Sequence, residues 1–252
     1  MEYKIRVEKE FKYIEVGTGT PLMLLHGLFG ALSNFKSIIN TFSNDYKVVV
    51  PMLPLFDLEV AESTIDGLLD YVQKFVAYKE YNQFHLLGNS LGGHLCLLYT
   101  LQNQSKVKTL TLTGSSGLFE NSLGDSYPKK GDYDYVKTKT EYTFYNPNTA
   151  TKELVDEVFE IVNNREKAIR VLYIARSAIR HNVKDQLHTI LIPVNLIWGR
   201  EDKITPLFAG EEFHKLLPNS TLHIIDECAH VPMMEHPETF DKLLMEFLKK
   251  HE

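Results

Sequence analysis

Six short, continuous apolar runs recur along the chain, and helical patterns separate most of them. Runs that are apolar on both faces suit the strands of a parallel sheet covered by helices. Two alternating runs, 3–7 and 12–16, precede them and are typical of antiparallel strands. This repeated strand–helix alternation predicts an open, mostly parallel α/β sheet. The apolar runs are 22–25, 47–50, 84–87, 107–113, 194–198 and 221–225, and the helical patterns are 33–42, 62–80, 91–104, 206–216 and 236–250.

The long interval between 113 and 194 breaks this alternation, because it contains no convincing strand. Its first half is irregular and rich in aromatic residues, whereas its second half carries two helical patterns, 151–164 and 165–181. A structureless loop of this length is uncommon in a compact domain. We therefore expect an inserted subdomain, and we expect it to pack over a pocket because it lacks a complete core of its own.

A serine between two glycines lies at a strand-to-helix junction. The motif GNSLG at 88–92 directly follows the apolar run 84–87 and opens the helical pattern 91–104. This is the context of a G-x-S-x-G nucleophile elbow, in which the turn is too tight for bulky residues beside the serine. The serine lies at a helix N-terminus, where backbone N–H groups favour developing negative charge. Ser90 is therefore our candidate nucleophile, and an ordinary glycine-rich turn is the alternative.

The sequence HGLFG at 26–30 forms a second glycine-containing loop after an apolar run. In acyl transfer, one oxyanion donor is the N–H of the residue after the nucleophile, which is Leu91 here. The other donor comes from the loop after an earlier strand. We predict Leu28 N–H as that donor, with Phe29 as the next choice. We interpret His26 as a structural histidine that fixes this loop.

Two further loops supply a carboxylate and a histidine. Asp202 follows the run 194–198, at the end of a strand where open α/β sheets place their ligands. His230 follows the last apolar run, and the chain order Ser–Asp–His is that of one class of catalytic triad. His230 would take the Ser90 proton, and Asp202 would hold the imidazole tautomer and stabilise the imidazolium. Glu201 is a rival carboxylate that we expect to point to solvent.

Composition narrows the possible functions. The 252 residues carry a formal net charge of −6, which disfavours a nucleic-acid or anionic-membrane surface because both need a basic face. No apolar run approaches the about 20 residues that span a bilayer, and the first residues lack the apolar stretch of a signal peptide. Two cysteines, Cys96 and Cys228, form no disulfide framework. These features favour a cytoplasmic protein.

No cofactor or metal is expected, because the sequence carries neither a metal-ligand spacing nor a phosphate-binding motif. The expected partner is a small-molecule substrate. The oligomeric state, monomer or homodimer, stays open.

From about residue 12 to the C-terminus, these loops and the strand–helix order resemble the α/β-hydrolase superfamily. The resemblance implies an eight-stranded, mostly parallel sheet flanked by helices, with strand two antiparallel. It also implies a helical cap between strands six and seven, with a pocket between cap and core. On this basis 1–117 and 191–252 form the core and 118–190 form the cap.

A narrower resemblance is to the meta-cleavage-product hydrolases, which cut carbon–carbon bonds in ring-fission dienoates. It rests on the elbow sequence 88–94, on Asn34 between a serine and a phenylalanine, and on Arg165, which matches a cap arginine that binds substrate carboxylate. Three features depart from that pattern. The loop that begins with His26 and Gly27, the HG loop, is shorter and more apolar than in those enzymes. Val231 stands where they usually carry a tryptophan, and 51–59 replaces a glycine-rich loop. HGLFG also resembles small carboxylesterases.

These observations predict a cofactor-independent serine hydrolase that acts on a small, partly hydrophobic carboxylic ester through an acyl-enzyme. A carbon–carbon bond hydrolase of 2-hydroxy-6-oxo-dienoates is the first alternative. A ligand receptor with slow or no turnover is the second, because a fold does not imply a function. The residues assigned to the substrate are Phe29, Asn34, Asn89, Arg165 and Val231.

Overall fold

The computed structural model describes residues 3–29, 32–119 and 131–252. Within them, one sheet contains eight strands: β1 Arg6–Glu8, β2 Phe11–Val16, β3 Pro21–Leu25, β4 Lys47–Pro51, β5 Phe84–Asn89, β6 Val107–Thr113, β7 Val194–Gly199 and β8 Ser220–Ile225. Their order across the sheet is β1-β2-β4-β3-β5-β6-β7-β8. β2 pairs antiparallel with β1 and β4, and all the other neighbouring strands in the sheet are parallel.

Helices connect the strands and cover both faces of the sheet. None of the helices described for residues 3–29, 32–119 and 131–252 has the length and apolar character that crossing a membrane requires. In the described part of the chain the α-helices are α1 Lys36–Phe42, α2 Ile65–Tyr78, α3 Leu91–Asn103, α4 Tyr133–Glu141, α5 Lys152–Asn163, α6 Arg165–Arg180, α7 Leu207–Leu216, α8 Pro232–Glu235 and α9 Pro237–Lys250.

Alternate residues of the central strands pack into two separate apolar clusters, one on each face of the sheet. In β3, Met23 and Leu25 join the cluster that includes α2 and α3, whereas Leu22 and Leu24 join the cluster that includes α1 and α9. Burial on both faces explains why the strand sequences are continuously apolar rather than alternating. The predicted mostly parallel sheet flanked by helices is therefore confirmed.

The pattern 62–80 is longer than the helix it predicts, because a capping residue sets where that helix begins. The Thr64 side chain accepts a hydrogen bond from Gly67 N, so α2 begins at Ile65. The pattern 33–42 also divides, into a short 3-10 turn over Leu32–Phe35 followed by α1.

Between β6 and β7 the structure has α4, α5 and α6. The two helical patterns of the sequence correspond to α5 and α6, but periodicity did not predict α4, because only Val136 and Thr140 of this helix are buried. Such a helix carries no apolar stripe for a pattern to detect. Residues 120–130 of the predicted cap lie outside the described residues, and the division into core and cap stays a prediction.

Hydrogen bonds fasten α6 and the chain after it to the rest of the fold. Arg170 Nε donates to the Leu58 carbonyl at 2.8 Å, and Ser177 Oγ accepts from Ile65 N at 3.2 Å. Beyond the helix, Val183 N donates to Gly117 O at 2.9 Å. This region is thus anchored beside the carboxyl end of β6.

Candidate active site

Ser90 occupies the tight turn between β5 and α3, with φ 56° and ψ −122°. Few residues other than glycine adopt a positive φ, and such strain persists only where the surroundings enforce it. Here Ser90 N donates to Thr113 O at 3.1 Å, and His94 N and Ser116 N each donate to Ser90 O at 3.2 Å. Ser90 is half-buried, while its neighbours in 84–100 are all buried. The turn therefore leaves the Ser90 residue partly accessible within a stretch of chain that is otherwise buried.

Close backbone contacts explain the two glycines that flank this serine. A Cβ at Gly88 would lie 2.4 Å from the Gly92 carbonyl oxygen, and a Cβ at Gly92 would lie 2.0 Å from the Leu25 carbonyl oxygen. Any side chain at either position would force α3 away from the sheet. The spacing of the motif thus follows from how tightly α3 packs on β3 and β5.

The 26–29 loop lies against Ser90, where a Cβ at Gly27 would be 3.1 Å from the Ser90 Cβ. Leu28 is half-buried and Phe29 is 36% exposed. On the other side of Ser90, Leu91 is the first residue of α3, so its N–H lacks an intrahelical acceptor. The two predicted oxyanion donors therefore lie in segments that border the serine, and their role stays a prediction.

His26 holds this loop in place, as the sequence predicts. Leu53 N donates to His26 Nε2 at 3.2 Å, so Nδ1 carries the proton and donates to Gly27 O at 2.9 Å. Burial lowers the pKa of His26 below its ordinary value, which keeps the ring neutral. His26 thus joins the HG loop to the segment after β4.

Asp202 and His230 meet at the same edge of the sheet, beyond the carboxyl ends of β7 and β8. His230 Nδ1 lies 2.9 Å from Asp202 Oδ2, and both residues are buried. Asp202 Oδ1 accepts from Ile204 N at 2.8 Å and from Thr205 N at 2.9 Å. Because Nδ1–H donates to the carboxylate, Nε2 is left as the acceptor of the neutral ring.

Glu201, the rival carboxylate, is expected from the sequence to point to solvent, but its side chain bonds to the backbone instead. Its Oε2 accepts from Cys228 N at 3.1 Å, and its own N–H donates to Cys228 O at 2.9 Å. Glu201 is thus held by the chain that leads into the histidine loop. Burial raises the pKa of the Cys228 thiol, so that thiol stays protonated.

Thr205 is a site residue that sequence reasoning missed. Its hydroxyl donates to Asp202 Oδ2 at 2.8 Å and lies 3.3 Å from His230 Nδ1. Its carbonyl accepts from Trp198 Nε1 at 2.8 Å, which ties the loop to β7. An aspartate followed three residues later by threonine before a helix is a local signal for such a turn, because Asx side chains bond nearby backbone N–H groups.

The ring of His230 packs against the backbone at the end of β6. Gly114 has φ +49°, and a Cβ there would lie 2.8 Å from His230 Nδ1. Asn89 holds the same loop from the other side, because its amide nitrogen donates to Thr113 O at 3.0 Å and to His230 O at 3.1 Å. Asn89, assigned to the substrate from the sequence, therefore directs its N–H groups at backbone carbonyls, and its substrate role stays a prediction.

The remaining substrate assignments fall into two environments. Asn34 and Val231 are buried, at 8% and 4% exposure. Arg165 is exposed at the first position of α6. Their contacts with a substrate stay predictions.

One further histidine lies on the nucleophile helix. His94 is buried in α3, and its ring faces His181 at 5.7 Å between centroids. Burial lowers the pKa of His94 to about 3, so it is neutral. Within residues 3–29, 32–119 and 131–252, no group of three or more His, Cys, Asp or Glu side chains could hold a metal ion.

This arrangement of fold and loops has relatives of known family. A model of the alpha/beta hydrolase fold matches residues 20–158 and 162–237, which is most of the chain. The chain belongs to the alpha/beta hydrolase fold family. The crystal structure of MGS-MChE2, an alpha/beta hydrolase enzyme from the metagenome of sediments from the lagoon of Mar Chica, Morocco, is 40% identical, with a TM-score of 0.81 and 98% of each chain covered.

Two curated relatives of this alpha/beta hydrolase carry the names of different kinds of enzyme. The 2-hydroxy-6-oxo-6-(2'-aminophenyl)hexa-2,4-dienoic acid hydrolase of Metapseudomonas resinovorans is 27% identical, over 96% of this chain and 88% of the relative. The monoacylglycerol lipase ABHD6 of Bos taurus is 24% identical, over 90% of this chain and 74% of the relative. The predicted fold family and the predicted enzyme class, a hydrolase, are confirmed.

Replacing Gly114 by alanine should displace the His230 ring, because the new Cβ would collide with Nδ1. We expect kcat for an activated ester to fall by about 10²-fold or more, since misplacing a reacting group by about 1 Å has a cost of this size. Gly131→Ala is the matched control, because Gly131 also has a positive φ, +80°, but a Cβ there meets nothing within 4 Å. Equal losses in the two variants would show that backbone strain, and not contact with His230, is responsible.

Thr205→Val removes the hydroxyl that bonds to the Asp202 carboxylate and keeps the shape of the side chain. We expect kcat to fall by about tenfold with KM nearly unchanged, because one hydrogen bond to a charged group is lost. Thr205→Ser restores a hydroxyl and should recover most of the activity. Steady-state kinetics of the three proteins measures this, and a fully active valine variant would remove Thr205 from the site.

Proposed function

We propose that this hydrolase cleaves a small, partly hydrophobic carboxylic ester, with Ser90 as the nucleophile, His230 as general base and acid, and Asp202 as the residue that orients His230. The observation that carries the proposal is the 2.9 Å contact between His230 Nδ1 and Asp202 Oδ2 at the same sheet edge as a serine held at φ 56°. A serine hydroxyl alone is a poor nucleophile, and such a pair supplies the missing base.

The proposed reaction has two halves. His230 Nε2 takes the Ser90 hydroxyl proton as Ser90 Oγ attacks the ester carbonyl, and the imidazolium then protonates the leaving alkoxide. Water activated by His230 next attacks the acyl-enzyme, and Ser90 recovers its proton. Leu91 N–H and Leu28 N–H, with Phe29 N–H as the alternative, would stabilise the oxyanion, and losing one such donor typically costs about 10²–10³ in rate.

The character of the residues around this site supports an ester with an apolar part. Leu91 and Val231 are buried apolar residues beside the nucleophile and the histidine, and Phe29 extends from the loop that follows β3. The Asp202 carboxylate already accepts hydrogen bonds from Ile204, Thr205 and His230, so it is engaged within the protein and does not serve as a polar contact for the substrate. The relative named as a monoacylglycerol lipase acts, by its name, on an ester.

The second candidate is hydrolysis of a carbon–carbon bond in a 2-hydroxy-6-oxo-dienoate, which uses the same triad. The relative from Metapseudomonas resinovorans carries such a name. A dienoate brings a carboxylate that needs a cation. Arg165, exposed at the start of α6, is the candidate because it matches the cap arginine that binds substrate carboxylate in the hydrolases this sequence resembles. Arg170 is less suited, because its guanidinium already bonds the Leu58 and Glu166 carbonyls.

Ser90→Ala should abolish turnover of a p-nitrophenyl ester and labelling by an organophosphonate probe. The expected loss in kcat is at least about 10⁴-fold, because the covalent route disappears. Ser63→Ala is the control, since Ser63 is a buried serine whose hydroxyl donates to the Glu59 carbonyl at 3.0 Å. If the wild type neither labels nor turns over any activated ester, the esterase proposal fails. A stoichiometric burst without further turnover would favour the slow-turnover receptor.

Arg165→Ala separates the two candidate substrates. If the substrate is an acidic dienoate that Arg165 binds, KM for the dienoate should rise by about tenfold or more, because a charge-assisted bond is lost, while KM for a neutral ester stays unchanged. Arg180→Ala, at the exposed far end of α6, is the matched control. The ester proposal expects the wild type to favour neutral esters in kcat/KM over dienoates, and the reverse preference would select carbon–carbon hydrolysis.

A further inference from the structure

Glu235, the last residue of α8, accepts three backbone hydrogen bonds with its carboxylate. Oε1 accepts from Ala229 N at 2.9 Å. Oε2 accepts from Tyr145 N at 2.7 Å and from Asn146 N at 3.4 Å. Ala229 directly precedes His230, whereas Tyr145 and Asn146 follow α4, in the chain between β6 and β7. One side chain therefore bridges the histidine loop and this distant segment.

A second bond joins the same two pieces of chain. His230 N donates to Thr143 O at 3.2 Å, so residues 143–146, which we name the docking segment, bond to the histidine loop through both Thr143 and Glu235. Phe144, in the middle of the docking segment, is 4% exposed and belongs to the apolar cluster that contains Val231. The docking segment is thus anchored by a buried ring and by hydrogen bonds.

The chemistry of a carboxylate suits this bridge. An ionised carboxylate has two acceptor oxygens and no donor, so it can face N–H groups on two sides at once. Hydrogen bonds to a charged acceptor are also stronger than those between neutral groups. Glutamine has the same shape but replaces one oxygen by an NH2 group, which would then face an N–H group. It cannot serve both the histidine loop and the docking segment.

We propose that Glu235 is a positioning residue for the hydrolytic reaction. It locks the backbone at Ala229 and His230 to the docking segment, so the placement of the His230 ring depends on how that segment is seated. This inference rests on the proposed function of Ser90, His230 and Asp202. It implies that disturbing the docking segment slows acyl transfer even for an ester too small to be selected by that segment.

The first test compares Glu235→Gln with Asp241→Asn in the full-length protein. Asp241 is a matched carboxylate on α9, since burial raises the pKa of both groups, and it accepts bonds from Ser37 and Thr41 at 2.7 Å each. For p-nitrophenyl acetate we expect kcat of Glu235→Gln to fall about tenfold or more, with a smaller change in KM. Asp241→Asn should keep the wild-type kcat even where it lowers Tm as much as Glu235→Gln does.

The second test disturbs the docking segment without touching Glu235. Phe144→Ala removes the buried ring and should lower kcat for p-nitrophenyl acetate in the wild-type background. In the Glu235→Gln background the same change should lower kcat by a smaller factor than in the wild type, because only the bond from His230 N to Thr143 O then joins the two pieces of chain and coupled residues are not additive. Additive losses in this double-mutant cycle would contradict transmission through Glu235.

A measurement on the resting protein separates this inference from the proposed function. The downfield proton resonance of His230 Nδ1–H, bonded to Asp202, should broaden or shift in Glu235→Gln and stay unchanged in Asp241→Asn. If no ester is turned over by the wild type, the proposed function fails, yet this resonance still tests how Glu235 holds His230. An unchanged resonance together with wild-type kcat in Glu235→Gln overturns the inference. If Glu235→Gln does not fold, Glu235→Asp, whose shorter side chain cannot reach both partners, takes its place.

Discussion

The hydrogen bond between His230 Nδ1 and Asp202 Oδ2 is the central contact of the candidate active site. It needs two loops from different strands to meet within hydrogen-bonding distance, at an edge where Ser90 also emerges. Parallel strands make this possible, because their carboxyl ends lie along one edge of the sheet. Both residues are buried, and the hydrogen bond to Asp202 holds the imidazole in one tautomer and one orientation.

The surrounding structure holds that bond from several directions. Thr205 bonds the Asp202 carboxylate, and Trp198 secures the carbonyl of Thr205. Asn89, inside the elbow itself, bonds the carbonyl of His230 and so connects the histidine to the serine turn. The site is therefore one hydrogen-bonded unit built on the ends of β5, β7 and β8, and each loop limits the movement of the others.

Much of this could be predicted from sequence, because the signals were local. The continuous apolar runs reflect burial on both faces of each strand, and the glycines at 88 and 92 reflect contacts of α3 with the sheet. The bonds of Glu235 could not be predicted, because its partners lie 6 and about 90 positions away and are backbone N–H groups. No side-chain pattern marks such a partner. Helix α4 could not be predicted either, because it buries so few residues that no apolar periodicity results.

The proposed function requires that Ser90 carries the acyl group during turnover. Acid quenching of the wild type during steady-state hydrolysis of a p-nitrophenyl ester, followed by peptide mapping by mass spectrometry, tests it most directly. We expect the acyl mass on the peptide that contains Ser90, at that residue. Sustained turnover with no acylated peptide, or with the acyl group on another residue, would contradict it.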